Sequence, residues 1–216
     1  MGANLPAVSL GTSRTVTALA VGADHSCALL DNGTVKCWGY NFHGQLGLGD
    51  HSNRGDAPGE MGDNLPPVSL GAGRTATALA AGLYHSCALL DNGTAKCWGY
   101  NREGQLGLGY TEGNGGTGNA VGEMGDSLPA ISLGTGRTAM ALAAGNDHTC
   151  ALLDDGAVKC WGLNFEGQLG LGDQSNRGDA AGEMGNNLPT VSLGAGRSDT
   201  AITLGDATTC ALLDNG

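Results

Sequence analysis

His25-Ser26-Cys27-Ala28-Leu29-Leu30-Asp31-Asn32-Gly33-Thr34-Val35-Lys36-Cys37-Trp38-Gly39 is the stretch whose reading decides the fold. Two runs of strand-forming residues flank Asp-Asn-Gly, and the glycine supplies the positive φ that a tight hairpin loop demands. A three-residue loop, Asp31 to Gly33, sets Leu30 opposite Thr34, Leu29 opposite Val35 and Cys27 opposite Cys37. A two-residue Asn-Gly loop would instead set Cys27 opposite Trp38. The first register is preferred because the spacing recurs as Cys87/Cys97 and Cys150/Cys160. Cysteines facing each other on paired strands lie close enough for a disulfide.

The stretch returns at His85 to Gly99 and at His148 to Gly162, then begins once more at Thr208. Copies start at Met1, Met61, Met124 and Met184, which divides the chain into repeats 1–60, 61–123, 124–183 and 184–216. A period of about 60 residues signals a propeller, solenoid or array. The longer second copy takes its extra residues in Tyr110 to Glu123, a Gly/Thr/Asn-rich loop that tolerates insertion. Met1 is in register with the other three methionines and opens no leader peptide, so the chain reads as part of a longer array.

Within one copy the pattern predicts four short strands: Leu5 to Leu10, Thr17 to Val21, Ser26 to Leu30 and Thr34 to Gly39. Apolar residues point both ways from the inner pair, Cys27 and Leu29 against Ala28 and Leu30. Such a sheet is covered on both faces, as a propeller blade is by its two neighbours. The expected fold is therefore all-β, built of four-stranded antiparallel blades. The first half of the repeat occurs four times and the second half three times. This predicts an open arc of about three and a half blades whose ends favour self-association.

The phrase Cys-Ala-Leu-Leu-Asp-Asn-Gly-x-x-Lys-Cys-Trp-Gly-x-Asn-x-x-Gly-Gln-Leu-Gly, preceded by Gly-x-x-His, resembles the regulator of chromosome condensation repeat family. The paired cysteines and Gly-Glu-Met-Gly-x-Asn-Leu-Pro are similar to its bacterial branch. The resemblance implies one blade per repeat, usually seven blades in all, and use as a rigid docking platform. The last copy departs from the motif, with Thr208 in place of the histidine.

Forty glycines and few aromatics among 216 residues describe turn-rich β structure. A formal charge of −11 argues against nucleic acid or an anionic membrane as partner. No apolar run approaches the roughly 20 residues of a membrane span. Cysteines paired at strand spacing point to an oxidising, extracytoplasmic compartment: secreted, periplasmic or cell-surface.

Candidate chemistry is sparse. His25, Cys27 and Cys37 recur together, but zinc sites favour closer cysteines, and the hairpin already accounts for these. The histidine is expected to bond backbone in its adjoining turn. Asp50 to Asp56 and Asp173 to Asp179 have an oxygen-rich look, yet an arginine stands where a calcium loop needs an oxygen ligand. The Arg-Gly-Asp tripeptides inside them are short enough to be coincidence. No nucleophile constellation or phosphate-binding glycine loop is present, so no catalytic, metal or cofactor residues are assigned. Trp38, Trp98 and Trp161 read as packing between blades.

Comparing the copies with one another locates a binding face. They differ where the second strand turns into the third and where the chain leaves the fourth, and these places lie at one end of a meander. Candidate partner-binding residues there are Asp24, Phe42, His43, Leu83, Tyr84, Arg102, Tyr110, Asp147 and Phe165. Aromatic types among them suit hot spots. The leading reading is a non-enzymatic module that binds another protein. The alternatives are a regulator or inhibitor of an enzyme or GTPase, and a purely structural array.

If the hairpin register is right, thiol labelling of the unreduced protein finds one reactive cysteine, Cys210. Each disulfide closes a short loop worth about 3 kcal/mol in the chain-entropy model. Seven reactive thiols would contradict the register.

Overall fold

The computed structural model describes residues 6–113, 115–194 and 197–214. The first copy folds as β1 (Val16–Val21), β2 (His25–Leu30) and β3 (Val35–Gly39). The second gives β4 (Ala76–Ala81), β5 (His85–Leu90), β6 (Ala95–Tyr100) and a short β7 (Gly116–Thr117). The third gives β8 (Ala139–Ala144), β9 (His148–Leu153) and β10 (Val158–Gly162), and the fourth β11 (Asp199–Leu204) and β12 (Thr209–Leu213). All pairings are antiparallel, and β1, β4, β8 and β11 adjoin in turn along the inside of the arc. Among the described residues no helix is long and apolar enough to cross a membrane.

The hairpin loop has three residues. Leu30 N–H donates to the Thr34 carbonyl at 2.9 Å, and Thr34 N–H to Asn32 Oδ1 at 3.1 Å. Gly33 has φ +77°, and a Cβ there would stand 2.5 Å from Thr75 Cβ of the next copy. Only glycine meets both demands. Leu29 pairs with Val35 and Cys27 with Cys37. The Leu30–Thr34 bond alternates with open pairs, so the cysteines occupy an open pair, where opposed Cα atoms approach most closely. Cys27–Cys37, Cys87–Cys97 and Cys150–Cys160 are joined, each with Cα atoms 4.1 Å apart.

The expected first strand does not form. Leu5 lies outside the described residues, and 6–10 are not strand. The equivalent segments each give one N–H to the preceding copy's hairpin: Val68 to Val35 O (2.9 Å), Ile131 to Ala95 O (2.8 Å) and Val191 to Val158 O (2.8 Å). Pro66, Pro67, Pro129 and Pro189 carry no N–H, so the ladder cannot extend on the N-terminal side of these bonds. The edge of β3 is covered instead by two separate pieces, since Arg54 also bridges to Gly39, as Arg177 does to Gly162. In the second copy β7 does the same work against Gly99 and Tyr100.

The first two seams between blades share one polar device. The Gln45 carbonyl accepts Ser86 Oγ–H (3.0 Å) and Trp98 Nε1–H (3.0 Å) from the next copy. Gln105 receives Thr149 (2.9 Å) and Trp161 (3.0 Å) in the same way. The hydroxyl proton is thereby used, so the hydroxyl accepts from His25 Nε2 at 2.8 Å, and likewise from His85 at 2.9 Å. The histidine thus bonds a side chain of the next blade, not its own turn as expected. Trp98 packs with Leu46 and Leu128, and Trp161 with Leu106 and Leu188. Gly47 and Gly107 let the indoles in, for a Cβ at either would come within 2.8 Å of indole nitrogen.

The arc ends apolar. Leu19 and Val21 on the first sheet are 63% and 69% exposed. On the last, Leu212 is 55% exposed, whereas its counterparts Leu29, Leu89 and Leu152 are buried.

Burial holds the seam histidines neutral: His25 and His148 fall to about 4 and His85 to about 3, desolvation being the first cause in each. Their pKa values lie below the unfolded value near 6.5, so their contribution is complete above that pH and is lost as pH falls toward about 4. Thermal stability should therefore drop between about pH 7 and about pH 5, before most carboxylates titrate. A His85→Thr variant, which copies the threonine that the fourth repeat carries at Thr208, should lose less over that range. An unchanged slope would show that the seam histidines do not carry the effect.

Candidate partner-binding face

The variable end of the arc is positioned by main-chain bonds. Where β3 ends, Tyr40 N–H donates to Asp24 O (2.8 Å); Tyr100 does so to Tyr84 O (2.9 Å) and Leu163 to Asp147 O (2.8 Å). Leu83 N–H reaches Asn146 O of the next blade at 3.0 Å. These bonds take no account of the side chain, so the side chains are free to differ. A buried asparagine then folds each departing loop. Asn41 Oδ1 accepts Leu46 N–H (3.0 Å) while its amide donates to Asp50 O (2.8 Å) and Ser52 O (3.1 Å). Asn164 repeats the arrangement with Leu169, Asp173 and Ser175. Arg54 closes on Asp50 and Arg177 on Asp173, both at 2.6 Å, so the arginine in each oxygen-rich loop neutralises the carboxylate a cation would need.

Between the first two blades this scaffold gathers rings. His43 lies 5.1 Å from Phe42, 5.2 Å from Tyr84 and 4.6 Å from Tyr100, centroid to centroid. Tyr40 joins at 6.0 Å from Tyr84 and stacks on Phe42 at 6.3 Å. His51 reaches Phe42 at 6.1 Å and bonds the Phe42 carbonyl through Nδ1 at 2.7 Å. Phe42 is half exposed, and Tyr40, His43, Tyr84 and Tyr100 are partly buried beneath it. The cluster is an amphipathic aromatic platform.

The next seam carries charge instead. Gln105 Nε2–H donates to Asp147 Oδ1 at 3.0 Å, and Glu103 accepts from Asn176 at 3.0 Å. Burial, then Glu103 and Asp206, push the Asp147 carboxyl up, against the pull of Gln105. The loop face is thus aromatic at one seam and acidic at the next.

Of the residues singled out in sequence, Phe42, His43 and Tyr84 come together. Asp147 sits in the acidic seam, where Glu103 also holds Arg102 at 3.9 Å. Leu83 is half-buried in its main-chain link. Asp24, Tyr110 and Phe165 are exposed at the same end without joining either cluster among the described residues. Sequence comparison missed Tyr40, Tyr100 and His51. Tyr40 and Tyr100 agree between two copies and so resemble blade residues, but Leu163 in the third copy marks the position as variable.

Similarity to known proteins agrees with this architecture. Profiles of the regulator of chromosome condensation (RCC1) repeat match residues 32–89 and 92–152, and a second profile of the same repeat matches 16–45, 76–105 and 141–168. The ultraviolet-B receptor UVR8 of Arabidopsis thaliana is 34% identical over 167 residues, covering 75% of this chain and 33% of the receptor. The human X-linked retinitis pigmentosa GTPase regulator is 32% identical over 159 residues, 73% of this chain and 14% of that protein. The chain therefore spans a third or less of these relatives. Among solved structures, Prp20p of Saccharomyces cerevisiae superposes with a TM-score of 0.66 at 19% identity, over 88% of this chain and 42% of that one. That likeness speaks for the fold alone. With repeat profiles matching more than half its length, the chain belongs to the regulator of chromosome condensation (RCC1) repeat family.

Proposed function

We propose that this chain is a non-enzymatic protein-binding module that presents its variable loop face to a partner protein. The observation that carries the reading is the ring cluster of Tyr40, Phe42, His43, Tyr84 and Tyr100, which concentrates hot-spot residue types on one end. The opposite end is bound up in its own contacts. There Lys36 Nζ donates to Gly62 O at 2.8 Å and Thr12 N–H to Asp63 Oδ1 at 2.8 Å, and the other copies repeat the pattern. Asp24, Phe42, His43, Leu83, Tyr84, Arg102, Tyr110, Asp147 and Phe165 outline the proposed face, with repeats 1–60, 61–123, 124–183 and 184–216 acting as one unit. The three cysteine pairs support work in an oxidising compartment outside the cytoplasm.

Regulation of an enzyme or GTPase is the second reading. It is favoured by the name of the human GTPase regulator relative and by the Prp20p structure, described with binding to Gsp1p and histones.

The test compares the protein with a variant carrying Phe42→Ala, Tyr84→Ala and Phe165→Ala. The unfolding free energy should change by under about 1 kcal/mol per site, while proteins captured specifically from an extract of the source are lost. Capture that survives these changes but is lost on Arg74→Ala, at the Asp-Asn-Gly end, would place the binding face at the other end of the arc.

A further inference from the structure

The second seam is an internal standard for the first. In each copy the glutamine of Gly-Gln-Leu-Gly accepts a main-chain N–H on its side-chain oxygen. His43 N–H donates to Gln45 (3.0 Å), Glu103 to Gln105 (2.9 Å) and Glu166 to Gln168 (2.9 Å). This fixes which end of each amide points onward. Gln105 Nε2–H then meets the Asp147 carboxylate at 3.0 Å. Gln45 Nε2 is equally buried, and among the described residues it has no acceptor. At the place of Asp147, immediately before the seam histidine, stands Tyr84, and at the place of Glu103 stands His43. The first seam has exchanged two carboxylates for two rings, 5.2 Å apart, yet keeps the amide that one of those carboxylates satisfied. A buried N–H without a partner is a standing loss.

We infer that the aromatic end of the first seam receives one carboxylate from the partner, an aspartate or glutamate side chain that takes the place Asp147 fills in the second seam and accepts from Gln45 Nε2. The inference rests on the loop face being a docking surface, as proposed above, and names the group that face recognises. A lysine or arginine would bring only donors to the amide and leave it unpaired. A carboxylate is the group this fold already uses there, and a hydrogen bond to an ionised acceptor is the stronger kind. Glu103 is among the groups that push the Asp147 carboxyl up, after burial, and His43 in its place removes that repulsion. Asp50, in the same loop as Phe42 and His43, is held by Arg54 at 2.6 Å. On a chain of net charge −11, this seam is therefore where an acidic side chain can approach. Tyr84 is only half-buried, so its ring can turn outward to admit the group.

The test titrates the intact, isotope-labelled protein with N-acetyl-aspartate N-methylamide, which offers one side-chain carboxylate, and follows side-chain amide signals by NMR. The Gln45 amide should shift saturably, with a dissociation constant on the order of 1 mM for so small a ligand. The Gln105 amide should not move. The asparagine analogue should bind about tenfold more weakly, having no charge to strengthen the bond. Tyr84→Asp, which supplies the carboxylate from within, should bring the Gln45 amide close to the Gln105 signal and abolish the titration. A Gln45 amide that does not respond, that responds as well to the asparagine analogue or better to N-acetyl-lysine N-methylamide, or that still titrates in Tyr84→Asp would each overturn the inference. The docking face is judged separately by the capture experiment above. Capture that is lost in the triple ring variant but is not competed by the aspartate probe overturns the carboxylate and leaves the face standing; capture that persists in that variant overturns the face.

Discussion

One carbonyl per blade holds the arc together. Gln45 O and Gln105 O each receive a hydroxyl and an indole N–H from the following copy, in a fully buried seam. Each bond contributes on the order of 1 kcal/mol, but an unmet indole or carbonyl there would cost more than that. The seam is therefore specific as well as stable. The loop that presents the carbonyl is fixed by Asn41 and Asn101, whose side-chain oxygens hold Leu46 and Leu106 N–H at 3.0 and 3.1 Å. Glycine beside the carbonyl is what allows the indole to close on it, so the Gly-Gln-Leu-Gly phrase encodes packing between blades and not a ligand loop.

The same construction explains why one end varies and the other does not. At the Asp-Asn-Gly end, side chains make the contacts: Lys36, Lys96 and Lys159 each reach a carbonyl of a 3-10 turn, at 2.8, 2.7 and 2.6 Å. Changing those residues breaks the bond. At the other end, main-chain bonds hold the turn after the second strand of each copy, and the residue whose carbonyl is bonded there differs from copy to copy: Asp24, Tyr84 and Asp147. A scaffold that delegates its bonding to the backbone at one end frees that end for recognition.

Much of this was legible in the residues. The ten-residue cysteine spacing and the glycine in its loop gave the register, because strand pairing and the φ of one residue are local matters. The recurrence of the first half of the repeat after Met184 foretold the last antiparallel pair, β11 and β12. What local reading could not see was contact across the period. The lysine of Lys-Cys-Trp-Gly is almost fully buried in all three copies, an outcome that charge alone argues against. The histidine's partner lies about 60 residues away in the next blade, whereas sequence favoured its own turn. The segment read as a first strand looked like one by pattern, but in the later copies it gives the preceding hairpin one N–H, from Val68, Ile131 and Val191, with proline two residues before each. The rings of Tyr40 and Tyr100 join the cluster only because the arc brings successive loops together.

The most direct test of the seam compares two tryptophans that share a sequence context but not a neighbour. Trp98 is fully buried against Gln45 and Gly47, while Trp38, in the same Lys-Cys-Trp-Gly-Tyr phrase, is only half-buried at the end of the arc. Unfolding free energies of Trp98→Ala and Trp38→Ala, measured by denaturant titration, should differ widely. The first should lose about 3–5 kcal/mol and the second less than half as much. Equal losses would show that tryptophan stabilises its own blade and that the seam is not what holds the structure together.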